Sequence, residues 1–194
     1  MYIPKHFEVT EEDEIHAFIA ANAFGQLISN ANGQLLSTHL PFLISDDKTK
    51  LLCHLAKQNP HLKDIEAKEV LITFQGAHDY ISPSWYASPG VPTWNYQAAH
   101  VYGKCRTFDD PEALMQLVDT LTDKYESDLA VPWQAKYSPS MLGAIVGVEI
   151  EIRDIQCKYK LSQNRSIIDR TQVIDQLKNI GSNQLAEAMQ RTEL

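Results

Sequence analysis

The stretch VGVEIEIRDI, residues 146–155, alternates apolar and charged side chains. Val146, Val148, Ile150 and Ile152 share one face and Glu149, Glu151 and Arg153 the other, the period-2 pattern of a half-buried antiparallel strand. Its partners are sought among similar runs. FGQLISNANGQLLSTHLPFLI (24–44) reads as a hairpin turning at Asn32-Gly33, a pair favoured in type I′ turns. LLCHLA (51–56), EVLITFQG (69–76) and AAHVYGKCRTF (98–108) read as further strands. Thr10 and the acids after it open a helix over 11–21, with Ile15, Phe18 and Ile19 on one face. NPHLKDI (59–65) gives a short helical turn. In DPEALMQLVDTLTDKYE (110–126), Asp110 caps, Pro111 takes the first helical position, and Leu114, Leu117, Val118 and Leu121 form the buried stripe. From Ser166 onward the tail reads as helix broken at Gly181-Ser182. These elements predict a mainly β chain with peripheral helices (α+β), an antiparallel barrel of about six strands in meander order. Residues 1–165 form the domain, and 166–194 are its C-terminal helical appendage.

YISPSWYASPGVPTWNY (80–96) interrupts this pattern. Proline fixes φ and cannot donate to a ladder, so the segment is predicted to be mostly loop. Tyr80, Trp85, Tyr86, Trp94 and Tyr96 then sit where burial is hard to achieve. Either the loop folds back on its own core, or it walls a flat ligand or a partner subunit.

Composition narrows the functional classes. The net charge of −8, from 17 basic and 25 acidic residues, is a poor match for duplex DNA, whose phosphates attract Lys and Arg. Direct operator binding would need a positive patch assembled by the fold. No apolar run reaches the roughly 18 residues of a membrane span, and the N-terminal residues lack a secretion-signal pattern. Cys53, Cys105 and Cys157 are odd in number and widely spaced, as expected of thiols in a reducing cytoplasm and not of a disulfide framework or zinc site.

Nucleotide-loop, zincin and nucleophile-elbow motifs are absent from the sequence. Three clusters carry candidate ligand chemistry. STHLPF (37–42) brings Thr38 and His39 behind the hairpin. HLAKQNPH (54–61) delivers His54, Lys57 and Asn59 to a strand–helix junction, a cation with amide donors suited to phosphate. KYKLSQNRS (158–166) interleaves Lys160 and Arg165 with Ser162, Gln163 and Asn164. Each cluster reads equally as solvated or capping loop.

MYIPKHF, THLPF, HLAKQNP, FQGAHDYISPSWY, VPTWNY, HVYG, AIVGVEIEI and KLSQNR, in this order along residues 1 to about 170, resemble the PaiB family, the FMN-binding negative transcriptional regulators. More distantly the chain is similar to pyridoxamine-phosphate-oxidase-like split barrels, which hold FMN at a homodimer interface. The resemblance implies an antiparallel split β-barrel of FMN-binding type, an FMN cofactor, and a homodimer with flavin at the interface. It implies that Trp85, Trp94 and Asn95 join the three clusters around the flavin or its subunit seam. One departure stands out: relatives carry a longer loop with a basic residue where this chain has ASPG (87–90). The function implied is a flavin-dependent sensor or regulator. An FMN-dependent oxidoreductase or haem-handling enzyme is the alternative, since flavin chemistry needs few protein groups; direct DNA repression comes third.

Overall fold

In the computed structural model, residues 1–192 are described. Eight strands make one antiparallel sheet: β1 (Glu8–Val9), β2 (Phe24–Ala31), β3 (Gln34–Pro41), β4 (Leu43–Ile44), β5 (Lys50–Ala56), β6 (Glu69–Ile81), β7 (Thr93–Phe108) and β8 (Ile145–Lys160). The helices are α1 (Glu12–Ala21), α2 (Pro111–Glu126), α3 (Pro139–Leu142), α4 (Ile167–Asn179) and α5 (Asn183–Arg191).

The strand order, β3-β2-β6-β7-β8-β5-β4 with β1 beside β8, is not the expected meander. Only β2–β3, β4–β5 and β6–β7–β8 run between chain neighbours. On its other edge β5 pairs far along the chain with β8, from Lys50↔Glu151 to Ala56↔Ile145. The sheet is open. The hairpin turns as read: Asn32 and Gly33 both have positive φ, 52° and 85°, and the Gly33 N–H donates to Asn30 Oδ1 at 2.8 Å.

The chain divides into two compact units, each taken by itself. One contains residues 19–74 and 101–155. Its core includes Leu27, Phe42, Leu51, Leu55, Ile72, Phe74, Val148 and Ile150. Asp110 Oδ1 accepts from the Ala113 N–H at 2.9 Å and so caps α2, whose Leu114, Leu117, Val118 and Leu121 are all buried. The alternation of β8 is less strict than its sequence: Val146 and Ile152 are half-buried and Gly147 is buried. Phe108 covers Gly147, where a Cβ would lie 2.2 Å from the ring.

The other unit contains residues 1–18, 75–100 and 156–194. Ile81, Tyr86, Leu161, Val173, Leu177, Leu185 and Met189 are buried in it. The loop expected over 80–96 is shorter than read. Tyr80 is the penultimate residue of β6, while Trp94 and Tyr96 lie near the start of β7. Pro83, Pro89 and Pro92 all fall between the strands, so no ladder loses a donor, and only Trp85 and Tyr86 of the five aromatics are loop residues. Cys53, Cys105 and Cys157 are free thiols buried in the interior. Burial pushes Cys105 and Cys157 up to about 12 and raises Cys53 in the same direction.

Candidate functional site

In the first unit, β3 carries Thr38 and His39, β5 carries His54, and the turn after β5 carries Lys57 and Asn59. Antiparallel pairing sets His39 opposite Gln26, and its Nε2 lies 2.7 Å from Gln26 Nε2. The Phe24 ring stacks on the imidazole at a centroid distance of 6.0 Å. Asn59 Oδ1 accepts from the His61 N–H at 3.1 Å, capping the turn Pro60–Lys63, while its Nδ2 donates to Thr38 Oγ1 at 3.4 Å. The fold thus joins Thr38 to Asn59 through sequence-distant elements. Lys57 is held by its backbone N–H, which donates to Ala144 O at 2.9 Å. Its ammonium is exposed and has no side-chain partner among the described residues. His54 is half-buried, with Nδ1 sequestered and unpartnered, and burial lowers its affinity for a proton.

His61, quoted with its motif but not singled out, is buried, and its Nδ1 lies 2.7 Å from Ser29 Oγ. No short-range pattern marks that contact, which joins residues 32 positions apart.

The second unit treats its donors differently. Lys160 Nζ donates to Thr93 Oγ1 at 2.5 Å and to Trp94 O at 2.6 Å. Asn95 Nδ2 donates to Ser162 Oγ at 2.9 Å, both residues being buried. Gln163 bonds back to its own strand and loop, accepting from the Leu161 N–H at 2.7 Å and donating to Tyr159 O at 2.6 Å. Arg165 donates to Pro89 O at 3.2 Å and lays its guanidinium over the Tyr86 ring at 4.4 Å. Here the guanidinium packs on the short ASPG loop. Asp169 holds the same loop, accepting from Ala87 N at 2.8 Å, Ser88 N at 3.1 Å and Ser88 Oγ at 2.6 Å. Asn164 is exposed; Trp85 is half-buried, and Trp94 is 54% exposed with Tyr80 edge-on at 6.2 Å.

A cavity of about 400 Å³ in the first unit was not expected. Leu121, Tyr125 and Glu126 of α2 line it with Trp133, Tyr137 and His54. Its sequence signal was the spacing of Tyr125, Trp133 and Tyr137 across the end of α2 and the segment after it.

An open antiparallel sheet with peripheral helices is the architecture of a split barrel. A family model described as "Putative FMN-binding domain" matches residues 1–154. "Protease synthase and sporulation protein PAI 2" of Bacillus subtilis (strain 168) is 44% identical over 202 aligned residues, which cover 98% of this chain and 97% of that one. The chain belongs to the PaiB family of FMN-binding split barrels. Among solved structures, the flavocytochrome Anf3 from Azotobacter vinelandii is similar with a TM-score of 0.67 and 13% identity, covering 81% of this chain and 72% of that one. The FAD and heme binding protein from Mycobacterium smegmatis has a TM-score of 0.64 at 13% identity, covering 79% and 73%. At these identities the likeness is one of fold.

Proposed function

We propose that this chain is an FMN-dependent sensor acting as a negative regulator of transcription, as a cytoplasmic homodimer with flavin at the subunit interface. The match of residues 1–154 to the FMN-binding domain carries the reading. The residues present suit the cofactor's phosphate end: Lys57 offers an uncommitted ammonium, Thr38 a hydroxyl, and His39 its Nδ1, since Nε2 faces Gln26. The Asn59 amide is engaged on both sides and positions Thr38. In the second unit, Asn164 is the KLSQNR side chain most available to a ligand, and exposed Trp94 suits a subunit seam. When bound, FMN supplies redox chemistry through its ring.

The net charge of −8 favours regulation through a partner over direct operator contact. An absorption spectrum tests the flavin. Purified protein titrated with FMN is expected to retain a band near about 450 nm after gel filtration. Sedimentation equilibrium of that sample is expected to give a dimer. A colourless monomer at micromolar concentration with FMN present would sink both parts of the proposal.

A further inference from the structure

We propose that the cavity beside α2 binds a small organic ammonium with an apolar body. Three aromatic rings, Tyr125, Trp133 and Tyr137, share this cavity with the carboxylate of Glu126. The Trp133 and Tyr137 rings meet edge to face, with centroids 5.9 Å apart. Rings so arranged offer a cation their negative faces.

The polar groups of the wall point to the same charge. Glu126 is half-buried, and its Oε2 accepts the Trp133 backbone N–H at 2.7 Å. Among the described residues, no Lys, Arg or His forms an ion pair with it. The neighbouring Lys124 donates to Ala20 O at 3.0 Å and stands over the Tyr125 ring, 5.8 Å from its centroid, so that ring already faces a cation while Glu126 does not. The carboxylate is left without a countercharge at the edge of an apolar wall, where an incoming cation can pair with it. Thr122 Oγ1 lies 2.8 Å from Val118 O, where it donates, so at 2.6 Å the Tyr137 hydroxyl is the donor to Thr122. That assignment leaves the Tyr137 oxygen as an acceptor only. Desolvation keeps His54, on the same wall, from gaining positive charge. An anion finds no charged partner here; an ammonium finds a carboxylate, a phenol oxygen and the rings of Trp133 and Tyr137.

The cavity on the other side of α2, about 590 Å³, makes the contrast. Of its two acidic residues, Asp46 and Glu149, the second already pairs with Lys50 at 3.1 Å, and Arg106 shares the lining.

Calorimetry on the full-length, FMN-saturated protein tests the assignment with two probes of equal shape, phenyltrimethylammonium and its neutral isostere tert-butylbenzene. The cation is expected to bind about tenfold tighter. Glu126→Gln keeps an acceptor for the Trp133 N–H, yet should remove that preference while leaving the isostere and FMN within about twofold. Trp133→Leu, at a side chain 53% exposed, is a second variant for the same purpose, and should lower the preference through loss of the ring face. Equal binding of the two probes, binding of neither, or an intact preference in both variants would overturn the proposal.

Discussion

The segments HLAKQNP and KLSQNR carry the same kinds of side chain and use them in opposite ways. Lys57 of the first is exposed with no side-chain partner among the described residues, whereas Lys160 of the second donates to Thr93 and to the Trp94 carbonyl. Ser162, Gln163 and Arg165 are likewise committed to neighbours in their own unit. Where a donor-rich loop has its donors satisfied internally, it acts as a fastener; where a cation is left without a partner, it is available to an anion. Ligand chemistry is therefore to be sought first at Thr38, His39 and Lys57, with Asn164 the residue most open to a ligand in the other segment.

The most damaging break should come from the fastener. Arg170 is buried and donates through Nη2 to Met189 O at 2.6 Å and Thr192 O at 2.9 Å, holding the last turn of α5. Arg170→Ala is expected to lower the urea-unfolding free energy by about 3 kcal/mol, because two carbonyls lose a charged donor. Protein that remains folded should bind FMN as before. An unchanged unfolding midpoint would show that α5 is held by packing alone.

Lys57→Ala should do the reverse. Its melting temperature should stay put while FMN weakens about ten- to a hundredfold, and riboflavin, lacking the phosphate, hardly changes. Equal loss of both flavins would move Lys57 away from the phosphate.

Arg165→Ala sharpens the contrast further. Loss of the Pro89 bond and the Tyr86 contact should destabilise by about 1 kcal/mol, whereas Asn164→Ala should leave stability within about 0.5 kcal/mol. Thermal melts and flavin titrations of the pair divide structural from binding roles, and a stable Arg165→Ala with impaired FMN binding would return Arg165 to the cofactor.

The smallest effect is set by pH. The Ser88 hydroxyl, with the Ser88 and Ala87 N–H groups and Ser166, holds the Asp169 carboxyl below its ordinary value of 3.8. The folded state thus prefers the carboxylate; its contribution is present above the unfolded value and is lost as pH falls through the folded one. The melting-temperature gap between wild type and Asp169→Asn should narrow between neutral pH and about pH 3. A constant gap would mean the charge is immaterial.

Local signals were legible where the chain decides locally. Asn32-Gly33 specified its turn, Asp110 its cap and α2 its stripe, because each depends on residues within a few positions. The place of β5 beside β8 was not legible, since no local pattern states which distant strand a period-2 segment will pair with. The aromatic loop is shorter than its composition suggests, because Pro83, Pro89 and Pro92 fall between the strands while Tyr80, Trp94 and Tyr96 belong to them. At the candidate site, residue types were visible but their commitments were not: Lys160 and Ser162 meet partners 67 positions away. The cavity has no periodic signature in the sequence, since its aromatics lie at the end of a helix and in the segment beyond it.

The three buried thiols make the molecule its own stopwatch. Cys53 and Cys105 belong to one unit and Cys157 to the other, and burial that raises their proton affinity keeps them from reacting while the fold is closed. A thiol reagent applied under native conditions would therefore read opening events, with no engineered label, and peptide mapping would assign each modification to its unit. Adding FMN during such labelling would reveal whether the cofactor slows the breathing of one unit or of both.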